Sequence, residues 1–117
     1  MGEVRRLLEA LANSLRGWGY LLRNEANTRY LLLLLAMVLG LKIARYLDDI
    51  QFALVLLAAS LATVAELLNT VLEDCLDMVK PTFSERVRHL KDITSAAVFF
   101  SLLVCALMLL LFLLRKN

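Results

Sequence analysis

The chain has 117 residues, a formal net charge of +2, 61% hydrophobic residues and a mean hydropathy of +0.72. That length holds one domain, 1–117, and an apolar excess gathered in blocks marks an integral membrane protein. So small a basic surplus, with no aromatics interleaved among the basic residues, argues against a nucleic-acid partner.

Residues 1–24 read as an amphipathic surface helix. Val4, Leu7, Leu8, Leu11, Leu15, Trp18 and Leu22 recur at helical spacing, with Arg5, Glu9, Asn13 and Arg16 on the opposite side. Leucines and a tryptophan on one face and arginines on the other suit a membrane interface. Packing on the rest of the protein is the plainer use of such a helix. Gly17 and Gly19 weaken its second half and allow a bend. Charges scattered from Arg5 to Glu25 leave no continuous apolar core for a cleavable signal peptide.

Three spans are expected after it, at 30–47, 52–76 and 93–114. Leu31 to Leu41 is apolar for eleven residues only, so Lys42 and Arg45 must snorkel at the far interface. Asp48 and Asp49 mark a short turn. The second span carries Ala58, Ala59, Ser60, Ala62, Thr63 and Ala65, small side chains that permit close helix contact. Pro81 is expected to end its helix, with a polar connection from Pro81 to Leu90. The third span runs 22 residues without a charge before Arg115 and Lys116.

Three spans put the termini on opposite sides. Nine basic residues (Arg5, Arg6, Arg16, Arg23, Arg29, Lys80, Arg86, Arg88, Lys91) face four (Lys42, Arg45, Arg115, Lys116). The expected orientation has the amino terminus and the second loop in the cytoplasm. Cys75 and Cys105 read as free thiols, the second as packing. His89, the only histidine, leaves no Cys/His metal spacing.

The second span ends in acid. Placed on a helix, Glu66, Asn69, Glu73 and Asp77 fall within an arc of roughly 80°, with Glu66 and Glu73 about 10 Å apart along the axis. A carboxylate beside a membrane-length apolar segment is costly unless it faces protein, water or a cation. The plainer alternative is a helix leaving the bilayer with its carboxylates in water, which suits Glu73 and Asp77 better than the deeper Glu66. Three polar clusters are predicted to meet at one interface: Asn24, Glu25 and Arg29; Glu66 to Asp77; Lys91 and Asp92. Acidic oxygens from two elements suit Mg²⁺, and Lys91, Arg29 and Arg6 suit phosphate. A carboxylate at membrane depth, Glu66, can take a proton from a lipid alcohol. These are the parts of phosphoryl transfer, yet four scattered glycines form no Gly-rich phosphate loop.

Asn24-Glu25-Ala26 with Arg29, then Glu66-Leu67-Leu68-Asn69-Thr70 with Glu73 and Asp77, then Lys91-Asp92-Ile93-Thr94-Ser95-Ala96-Ala97-Val98, resemble the signature of the small bacterial diacylglycerol kinase and undecaprenol kinase family. The resemblance extends over nearly the whole chain. It implies an all-α homotrimeric membrane bundle in the bacterial cytoplasmic (inner) membrane, moving the ATP γ-phosphate to a lipid alcohol at sites shared between protomers. By position it makes Glu66 the general base and Glu25 and Glu73 the carboxylates that hold Mg²⁺ on ATP. Asn69, Asp77, Lys91 and Asp92 match polar positions lining the nucleotide site. Arg6, Ser14 and Gly17 match positions near substrate or nucleotide, with Asn69 and Ser95 assigned to the substrate side. Asn13, Thr28 and Asp74 depart from the family pattern without removing a proposed catalytic group. The stretch from Lys91 to Val98 and the Tyr46-Leu47-Asp48 turn lean towards diacylglycerol as acceptor, with undecaprenol the alternative. From another class, a non-catalytic or proton-conducting oligomer with Glu66 on its axis also accounts for an intramembrane acid. That reading leaves Lys91 and Asp92 unexplained.

Overall fold

The computed structural model describes residues 1–79 and 85–115, and all of its regular structure is helical: α1 (Gly2–Asn24), α2 (Ala26–Ile43), α3 (Asp49–Val79) and α4 (Glu85–Arg115). The helices α2, α3 and α4 are long and apolar enough to cross a membrane. The expected break at Pro81 and the basic residues Lys80 and Lys116 lie outside the described residues.

α1 stays helical through Gly17 and Gly19, so the expected bend falls elsewhere. The chain turns at Glu25, a single extended residue (φ −119°, ψ 112°) between two helices. Its N–H donates to the Leu21 carbonyl at 2.8 Å, closing the last turn of α1, while the Arg29 guanidinium donates to the Leu22 carbonyl at 2.9 Å. Carbonyls orphaned at the end of α1 thus find donors from the chain that follows. α2 begins at Ala26, four residues before the expected Tyr30, because nothing from Ala26 to Arg29 disfavours a helix.

α2 also stops earlier than the expected Leu47. Arg45 takes a left-handed conformation (φ 69°), its N–H donates to the Lys42 carbonyl at 3.0 Å, and the Tyr46 N–H donates to the Leu41 carbonyl at 2.9 Å. This is a Schellman closure, in which a left-handed residue turns the chain back over the last helical carbonyls. α3 starts by a reciprocal cap. The Gln51 N–H donates to Asp48 Oδ1 at 2.8 Å, and the Asp48 N–H donates to Gln51 Oε1 at 3.1 Å. Lys42 and Asp49 form an ion pair across the turn at 2.5 Å.

α4 begins at Glu85, eight residues before the expected span, so 85–90 is helix where a polar connection is expected. Those residues contain no helix breaker, and Val87 is buried.

Among the described residues, the backbone of α3 approaches both α2 and α4, whereas α1 approaches, of the other helices, α2 alone. Ala58, Ala59, Ala62 and Thr63 are buried on α3, as their size leads one to expect. Val38 of α2, Val55 of α3 and Cys105 of α4 meet around Ala58 and Ala59, with Phe52, Met108 and Phe112 packed against them. Cys105 is therefore a packing residue, and Cys75 is exposed. Two hydroxyls within α3 return to their own backbone: Thr63 donates to the Ala59 carbonyl and Thr70 to the Glu66 carbonyl.

Candidate active site at the polar end of α3

α3 passes from apolar to acidic without a break, and its environment changes along the acidic face. Glu66 and Asn69 are buried, 5% and 8% exposed, Glu73 is half-buried and Asp77 is exposed. The two deeper groups are covered by neighbouring helices, and the two shallower ones lie towards the helix end. A helix simply leaving the bilayer does not account for the burial of Glu66.

Each polar group on this face has an identifiable contact. Asn27, in the first turn of α2, donates through Nδ2 to Glu66 Oε1 at 3.2 Å. Asn69 donates through Nδ2 to Glu73 Oε1 at 3.5 Å, while its Oδ1 is buried and unpartnered. Lys91, in the second turn of α4, donates to Asp77 Oδ1 at 2.6 Å. Two of the predicted clusters, the acidic face and Lys91, are thereby joined. From the other cluster, Glu25 is half-buried in the α1–α2 turn and Arg29 is engaged with the backbone. Asp92 and Ser95 are exposed.

A cavity of about 270 Å³ opens beside Glu66. It is lined by Asn27, Tyr30 and Leu31 of α2, Glu66 of α3, and Val98 and Leu102 of α4. Its wall is mostly apolar, and Asn27, Glu66 and Tyr30 are the lining residues that carry polar groups. A cavity of that kind takes an apolar chain and presents its polar end to a fixed carboxylate.

Among the described residues, no three His, Cys, Asp or Glu side chains gather as a ready metal cage. Mg²⁺ does not require one, since it keeps several waters and takes one or two carboxylates plus phosphate oxygens. The donor set suits such an ion: two half-buried carboxylates, Glu25 and Glu73, and a buried Asn69 oxygen with its acceptor capacity unused.

Arg6, Ser14 and Gly17 stand apart from this face within one chain, because α1 approaches only α2. A side chain added at Gly17 meets nothing within 4 Å. Asn27 is the residue that sequence reasoning passes over, because a polar residue in the first turn of a span reads as a helix start. A signal was present: Asn27 is the last amide before an apolar run that begins four residues later, at Leu31.

Over 101 residues the chain is 32% identical to a diacylglycerol kinase of Pseudomonas aeruginosa, a match covering 86% of this chain and 82% of the relative. Residues 12–113 match the family described as prokaryotic diacylglycerol kinase. That match takes in the acidic face, the Glu25 turn, Asn27 and Lys91, and leaves out only the first eleven residues and the last four. The chain belongs to the prokaryotic diacylglycerol kinase family.

Proposed function

We propose that this enzyme transfers the γ-phosphate of ATP to the free hydroxyl of diacylglycerol, giving phosphatidic acid, at the cytoplasmic face of the bacterial inner membrane. The observation that carries the reading is the buried Glu66 carboxylate, held by Asn27 beside a mostly apolar cavity. The name of the Pseudomonas relative supports diacylglycerol as the acceptor.

In this reading the acyl chains lie among Leu31, Val98 and Leu102, and the hydroxyl meets Glu66. As the hydroxyl oxygen bonds to the γ-phosphorus, the bond from that phosphorus to the bridging oxygen breaks and ADP leaves with the electron pair. The hydroxyl proton passes to Glu66. Glu25 and Glu73 would hold Mg²⁺, with Asn69 steadying Glu73 through their hydrogen bond. The metal, when bound, neutralises phosphate charge. Lys91 has three donors and gives one to Asp77, leaving two for phosphate oxygens. Asp77 and Asp92 border the nucleotide, and Ser95 the acceptor.

A homotrimer with shared sites supplies what one chain leaves apart. Arg6, Ser14 and Gly17 are exposed on a helix that approaches only α2, so in this reading they serve a neighbouring protomer's site. The exposed Leu7, Leu8, Leu11 and Leu15 of α1 suit the bilayer surface.

The test is phosphate transfer from labelled ATP with Mg²⁺ in mixed micelles containing diacylglycerol or undecaprenol. Labelled phosphatidic acid is expected from the first, and Glu66→Gln is expected to abolish it while Mg-ATP binding persists. Product from undecaprenol alone would move the acceptor. No product on either lipid from folded protein would leave a non-catalytic or proton-conducting oligomer.

A further inference from the structure

We infer that Asn27 is a positioning residue for phosphoryl transfer, its side-chain amide fixing one oxygen of Glu66 so that the other is presented to the acceptor hydroxyl. The inference rests on the reading of Glu66 as the base. It goes beyond that reading by assigning a role to a side chain on a different helix.

A glutamate near the middle of a helix has three side-chain torsions, and an apolar cavity offers it no polar contact to select among them. Asn27 Nδ2 donates to Oε1 at 3.2 Å and is, among the described residues, the one side chain that hydrogen-bonds this carboxylate. Oε2 is left for the substrate. Both residues line the same cavity, so the oriented oxygen and the apolar chain site lie side by side.

The chemical type of the partner matters. A lysine or arginine would also orient the carboxylate, but its positive charge would stabilise the anion strongly and oppose proton uptake. A neutral amide orients through one hydrogen bond and adds no net charge. It therefore fixes geometry while leaving the carboxylate able to accept a proton. The link also ties the first turn of α2 to α3, so the base is held by two helices.

The full-length enzyme in mixed micelles tests this with Asn27→Ala and Asn27→Leu, the second matching asparagine in side-chain heavy-atom count and branching. A base displaced or freed to rotate is expected to lower kcat by about 10- to 100-fold. KM for diacylglycerol and for Mg-ATP should stay within about twofold, since neither substrate loses a binding contact. Thermal melting is expected to fall modestly, because a buried carboxylate loses its hydrogen bond; a purely structural role would lower melting and leave the kcat of the folded protein unchanged. Wild-type kcat in both Asn27 variants, with Glu66→Gln inactive, overturns the positioning role and leaves the base intact. Full activity in Glu66→Gln removes the base and this inference together.

Discussion

Lys91 and Asp77 meet at 2.6 Å, yet both remain partly open, with side chains 35% and 59% exposed. An ion pair in that setting contributes little to folding, so its use lies in placing an ammonium beside the acidic face. Lys91→Met is therefore expected to leave melting nearly unchanged and to raise KM for ATP by about tenfold, the scale of a lost charge-assisted hydrogen bond. Glu73→Gln and Glu25→Gln remove carboxylates assigned to the metal. They are expected to weaken Mg-dependent nucleotide binding, read by titration with and without Mg²⁺, and to spare binding measured without the metal. At this scale the sequence was legible where charge and helical spacing coincide. Glu66, Asn69, Glu73 and Asp77 could be placed on one face by counting, and their graded burial follows that face. The Asn27–Glu66 contact could not be read, because it depends on how α2 is rotated against α3 across 39 residues of sequence.

Helix existence followed from apolar blocks, and helix ends did not. Arg45 closes α2 in a left-handed conformation that sequence rules reserve for glycine, so nothing in its type announced the stop. Arg45→Gly is expected to stabilise the protein by about 0.5–1 kcal/mol, the scale of relieving such a residue, in thermal or chemical unfolding in detergent. The cap at the start of α3 did carry its signal, with Asp48 three residues before Gln51. Asp48→Ala should cost about 1 kcal/mol in the same assay. Gly17→Ala separates two roles of α1. A methyl there meets nothing within the chain, so helix propensity alone gives a slight gain in stability. A raised KM for ATP in that variant would place nucleotide or a neighbouring protomer against Gly17. An unchanged KM would remove Gly17 from the site.

Across the whole molecule, the three crossings and the family were legible from hydropathy and motif order. The part proposed for α1 in a shared site was not, because among the described residues α1 approaches only α2. Orientation can be measured with the native thiols, since Cys75 is exposed and Cys105 is 1% exposed in the core. A membrane-impermeant maleimide is expected to label Cys75 in inverted vesicles and not in right-side-out ones. The reverse pattern would turn the proposed topology over.

The tight turn between α2 and α3 has a bearing on biogenesis. In the proposed orientation, the stretch from Lys42 to Asp49 is what the membrane must let through when these helices insert. It carries two cations and two anions, and Lys42 and Asp49 are already paired. A segment with no net charge exchanges no net electrical work with the transmembrane potential. Moving this stretch across is therefore expected to depend little on the membrane potential, and insertion assayed with and without an ionophore checks it.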